Sequence, residues 1–134
     1  MAISQTTTDA FQAYVLTGTF YLALYTSSAT LNSSTTVYTT SDEVSGGGYT
    51  AGGVALTLSV GPTTTDGTTY ISFNNAVWSP ASFTARGGLI YNTAQSNQAV
   101  AVLDFGADKT ATNTFTVQFP AATSTTAILR VVRG

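Results

Sequence analysis

The 134-residue sequence contains no cysteine and no histidine. Without cysteine there is no disulfide and no thiolate metal site. Without histidine the commonest general base and commonest zinc ligand are missing. Much catalytic chemistry is thereby excluded, and no cofactor is expected. Charge is also scarce, at 7% of residues, against about 25% in an ordinary soluble domain. The net charge of -2 supplies no field to draw in phosphates, which argues against a nucleic-acid partner. No apolar run approaches the roughly 20 residues that cross a bilayer, and the start M-A-I-S-Q-T-T-T-D lacks the basic and apolar regions of a signal peptide. The expectation is a chain made and assembled in the cytoplasm, with no membrane partner.

What is present is threonine, serine, glycine, alanine and a set of aromatics. Charge repulsion is a usual guard against association, so a surface this poor in charge points to a subunit partly covered by its neighbours. The length suits one domain, expected over 1–134.

The most informative stretch is 85–109, in which two apolar runs, 87–91 and 99–105, flank a polar segment in the pattern of an antiparallel hairpin. Regular pairing sets Asn92 opposite Gln98, Ile90 opposite Val100 and Arg86 opposite Asp104. Alternation then places Arg86, Gly88, Ile90, Val100, Val102 and Asp104 on one face, with Leu89, Tyr91, Ala101, Leu103 and Phe105 on the other. Both faces are largely apolar, as in a strand pair covered on both sides. Arg86 and Asp104 are the only charges within the paired strands before the hairpin's far end and read as a structural ion pair. A catalytic acid aided by a cation is the weaker reading, since no nucleophile or base lies nearby.

Earlier in the chain, 7–16 reads as a short helix with Thr8 as N-cap, Asp9 in the first turn and Phe11, Tyr14 and Val15 on one face. A strand over 19–26 follows. Residues 27–45 are nearly all Ser, Thr and Asn, and read as a long loop or extended arm for a subunit contact, with Leu31, Val37 and Tyr38 as its apolar points. Asp42 and Glu43 could be catalytic or metal-binding carboxylates. Sequence neighbours point apart in extended chain, so a solvated or inter-subunit pair is the better reading.

The glycines of 45–53 lead into a strand pattern, 54–60, and not into a helix with a lysine, so a phosphate loop is rejected. A chain reversal needing positive φ, anchored by Tyr49, is expected instead. A turn over 61–67 and a strand over 68–73 come next. Trp78, the only tryptophan, reads as a core or interface residue near Phe83, with sugar binding as the alternative. A polar turn over 106–113 and strands over 114–119 and 126–132 complete the chain. Together these give an all-β fold, an antiparallel sandwich (jelly-roll-like or Ig-like) of seven or eight strands with one short N-terminal helix.

The order of an early helix, Y-L-A-L-Y-T-S-S, E-V-S-G-G-G-Y-T-A-G-G-V-A-L-T, V-W-S-P-A-S-F-T-A-R-G-G-L-I-Y-N and A-V-L-D-F-G-A-D-K-T resembles a group of small virion proteins of tailed bacteriophages. The resemblance implies a structural, non-catalytic protein without catalytic residues to carry over. Its Ser/Thr-only insert departs from the more charged insert of that group. The expected role is a capsid decoration (cement) protein on the virion surface, binding the major capsid protein and copies of itself as a homo-oligomer, a trimer being one arrangement. A tail or fibre subunit is the alternative, and a carbohydrate-binding module using Trp78 a further one. The N-terminal segment and the 27–45 arm are the expected contacts, with Leu31, Val37, Tyr38, Tyr49 and Trp78 as interface candidates.

Overall fold

A computed structural model describes residues 3–133. Its elements are α1 (Asp9–Val15), β1 (Phe20–Tyr25), β2 (Val54–Ala55), β3 (Leu58–Thr65), β4 (Thr68–Phe73), β5 (Ala76–Trp78), β6 (Thr84–Asn92), β7 (Gln98–Thr110), β8 (Phe115–Val117) and β9 (Leu129–Val132). The strands form three antiparallel sheets, ordered β2-β1-β6-β7, β3-β4-β9 and β5-β8. The fold is all-β and sandwich-like with one short helix, as the alternating patterns imply. The sequence reads as one domain; the contacts divide it into two compact units, Met1–Thr17 with Thr57–Asn74 and Phe119–Gly134, and Gly18–Leu56 with Asn75–Gln118.

In the first unit, α1 begins where expected. Thr8 caps it, its hydroxyl accepting from the Phe11 amide at 3.3 Å. Phe11, Tyr14 and Val15 share one face, as expected, and it is the outer one. The one buried helical residue is Gln12. The β3–β4 hairpin turns at Asp66 and Gly67, with φ of 51° and 78°, as a two-residue primed turn requires. The turn expected over 61–67 therefore shrinks to its last two residues. Pro62 lies inside β3, which tolerates it because β3 is an edge strand and its register shifts between Val60 and Thr63. The strand expected over 54–60 likewise splits into β2 and the start of β3. Thr69, Ile71, Phe73, Ala127 and Leu129 are buried.

In the second unit β1 and β6 are the two inner strands, and aliphatic and aromatic residues cover both sides. Leu22, Leu24 and Ile90 lie on one side; Ala23, Tyr25, Leu89 and Tyr91 cluster on the other. Gly88 is needed on the first side, because a Cβ there would come within 2.9 Å of Leu22 Cδ1. The β6–β7 register starts as expected at Asn92↔Gln98 and then slips: Tyr91 faces Ala99 but Ile90 faces Ala101. Val100 is the extra residue of a bulge, so Ala101 and Leu103, not Val100 and Val102, share the side of Ile90. β7 is an edge strand, with alternate residues exposed, and is not covered on both faces. It runs to Thr110 through the region expected as a polar turn, paired there by Ala85↔Lys109 and Thr84↔Thr110.

Candidate functional site

The 27–45 segment does not project as an arm. It folds back on the second unit's own sheet, where Ala29, Leu31 and Tyr38 pack on the cluster of Ala23, Tyr25, Leu89 and Tyr91. Backbone bonds tie it to the edge of β7: Tyr38 N–H donates to Asn97 O at 3.0 Å and Ala99 N–H to Thr36 O at 2.9 Å. Tyr38 stacks on Tyr91 with ring centroids 4.7 Å apart. A segment too polar to hold itself is thus held by two tyrosine rings and a short ladder.

Glu43 closes this arrangement. Its carboxylate accepts from the Tyr38 hydroxyl at 2.6 Å, from the Gly52 amide at 2.8 Å and from the Tyr49 hydroxyl. Tyr49 oxygen in turn accepts from the Leu24 amide at 3.0 Å, Tyr91 hydroxyl donates to Gly52 O at 2.6 Å, and Tyr25 hydroxyl to Thr39 O at 2.6 Å. One carboxylate therefore joins the arm, the glycine turn and, through Tyr49, strand β1. Burial pushes the hydroxyls of Tyr25, Tyr38, Tyr49 and Tyr91 above their ordinary pKa, and the negative charge of Glu43 beside them adds to it. A phenol held neutral beside a carboxylate is a hydrogen-bond donor, which is the role each plays here. Sequence reasoning missed this network, reading Glu43 with Asp42 as a solvated or inter-subunit pair. The available signal was the pair of tyrosines at 38 and 49 flanking Glu43.

The glycine turn itself has the expected backbone: Gly46, Gly47, Gly48, Gly52 and Gly53 all have φ between 63° and 98°. Tyr49 anchors it, 7% exposed, its ring stacked on Trp78. Trp78 is 4% exposed and meets Phe83 and Phe115 edge-on, with centroids 6.4 Å and 6.0 Å away. Of the five interface candidates, Tyr49 and Trp78 are core residues, Leu31 and Tyr38 are half-buried against their own sheet, and Val37 alone is exposed.

Arg86 and Asp104 do meet, Nε donating to Oδ1 at 3.1 Å, although the paired residue opposite Asp104 is Gly87. The register shifts between Ala85 and Gly87, and at Gly87 itself a Cβ would run into the Leu103 carbonyl. Both side chains are well exposed. The Gly106 amide, and then Arg86, hold the Asp104 carboxyl below its usual pKa. The pair borders a cleft of about 250 Å³ with Tyr25, Ala29, Leu31 and Val102.

Among the described residues no group of three or more Asp and Glu converges as a metal site would require, and no helix is long and apolar enough to cross a membrane. Comparison with protein-family models, curated proteins and solved structures finds no match.

Proposed function

We propose that this chain is a structural subunit of a tailed-bacteriophage particle, a capsid decoration protein that binds the major capsid protein and stabilises the head. The observation that carries this reading is a surface that combines outward apolar side chains with almost no charge. Phe11, Tyr14, Leu58, Val77 and Val132 are between 43% and 68% exposed, in a chain with ten charged side chains in all, four basic and six acidic. Such surface favours association, and little on it resists association.

The mechanism is binding energy alone. Burial yields about 25 cal/mol per Å² of apolar surface, and many repeated sites of ordinary strength sum to a firmly held shell. The folded-back 27–45 segment makes a weaker candidate for the capsid contact than a free arm would. A tail or fibre subunit would use the same kind of surface in fewer copies. The burial of Trp78 weighs against the carbohydrate-binding alternative, because a sugar platform needs an exposed ring face.

Copy number tests the reading. Quantitative mass spectrometry of purified particles should give a simple ratio of this chain to the major capsid protein. A handful of copies per particle would move it to the tail, and absence from particles would end the virion reading.

A further inference from the structure

Helix α1 is mounted with its polar side inward. Gln12, fully buried, donates from Nε2 to Gly67 O at 3.0 Å and Val131 O at 3.1 Å, and its Oε1 accepts from Arg133 Nε at 3.0 Å. Arg133 also pairs with Asp9 at the helix start. These four groups fix the rotation of the helix. At 3.6 residues per turn, Val15, Phe11 and Tyr14 then span an arc of about 100° to one side of Gln12. They are 49%, 58% and 68% exposed. A rotation of the helix would bury the stripe at the loss of the clamp; the fold keeps the clamp and shows the stripe.

We infer that this stripe is a docking element that lies in an apolar, uncharged groove of the major capsid protein, an inference that rests on the function proposed above. Area decides against the same stripe of a second copy as the occupant. A buried aromatic side chain covers about 200 Å², so the exposed fractions leave roughly 300 to 400 Å² on the stripe. A stable interface needs about 800 Å² from each partner. Two stripes set face to face fall well short, whereas a groove that wraps the helix also takes up the exposed segment 3–8 before it, where Ile3 is 73% exposed. Charge points the same way. The one ionic side chain of the helix, Asp9, is already paired with Arg133, so the groove facing the stripe has no charge to meet.

The test uses heads assembled without this protein, the intact purified chain, and sedimentation. Wild-type chain should pellet with the heads equally at low and high salt, since apolar burial is not screened. Phe11→Asp with Tyr14→Asp should weaken retention by at least about 30-fold, the scale of a lost aromatic anchor. Both side chains are exposed, so circular dichroism should be unchanged. In parallel, Tyr14→Cys gives the chain its only thiol, and a photo-crosslinker attached there should join it to the major capsid protein. Equal pelleting of wild type and double variant overturns the docking helix and leaves the proposed function standing. A crosslink only to its own kind makes the occupant a second copy and also overturns it. Failure of the wild-type chain to pellet overturns the proposed function and the inference together.

Discussion

The side-chain amide of Gln12 donates to the backbone carbonyl of Val131 at 3.1 Å, across 119 positions of sequence. With the second bond to Gly67 O it ties helix α1 to the β3–β4 turn and to β9. Nothing else of the helix is buried. The helix is therefore held by hydrogen bonds more than by apolar packing, the reverse of the usual surface helix.

Gln12→Ala should accordingly destabilise the chain by about 2 to 4 kcal/mol, because two carbonyls and the Arg133 guanidinium each lose a partner in a low-dielectric site. Urea unfolding measures it. A change below about 0.5 kcal/mol would mean that water replaces the amide freely.

Much of the fold could be read from alternation and caps, and what escaped did so for identifiable reasons. Thr8 and Asp9 located the start of α1, but periodicity says only which residues share a side. It does not say which side faces the core, and Gln12 took the inner one. The hairpin at 92–98 was correctly centred, yet the bulge at Val100 carries no compositional mark, and a single extra residue inverted the faces assigned to the rest of β7. Arg86 and Asp104 still met because the arginine side chain is long enough to reach past the shifted register. The Glu43 network escaped for a different reason. Its members come from residues 24 to 52, and loop geometry alone brings them together.

Glu43→Gln tests that network. An amide keeps the shape but can accept well from only one of the two tyrosines, and the charge that strengthens all three bonds is gone. The expected loss is about 1 to 3 kcal/mol. Amide exchange should quicken at Tyr38 and Ala99, whose bonds hold the folded-back segment. Unchanged exchange at both would show that the segment is held without the carboxylate.

The same site sets the alkaline limit of stability. Tyr25, Tyr38, Tyr49 and Tyr91 ionise less readily when folded than in the unfolded chain, where a tyrosine titrates near pH 10. Their contribution is therefore complete below about pH 10 and is lost as the pH rises toward the raised folded values. In an alkaline titration the phenolate absorbance of these four should appear together with the loss of strand circular dichroism. A complete phenolate signal near pH 10 from a chain whose strands remain intact would refute this.

At the exposed end of the hairpin the expectation is a null one. Arg86 and Asp104 are 40% and 70% exposed, and pairs in solvent are screened and held at an entropic cost. Arg86→Ala should leave the melting temperature unchanged within error at moderate salt. Any clear fall would mean that the arginine stem packs on the cleft beside Leu31 and Val102, which Arg86→Met would then restore.

Two glycines of the turn before β2 separate backbone strain from collision. Gly46 and Gly53 have φ of 77° and 80°, so alanine at either pays nearly the same conformational penalty, about 1 kcal/mol. They differ in surroundings. A Cβ at Gly46 meets nothing within 4 Å, while one at Gly53 runs into the carbonyl of Leu22. That carbonyl belongs to a fully buried residue of an inner strand, and the neighbouring Val54 pairs with Leu22 across the β1–β2 ladder. Neither backbone can yield without breaking the pairing or moving β1 against β6. Gly46→Ala should therefore cost about 1 kcal/mol and Gly53→Ala more than about 3, compared by urea unfolding of the two variants. Equal costs would show that the β1–β2 edge relaxes around the added methyl, and that close approach of the two chains, unlike positive φ, is not what demands glycine there.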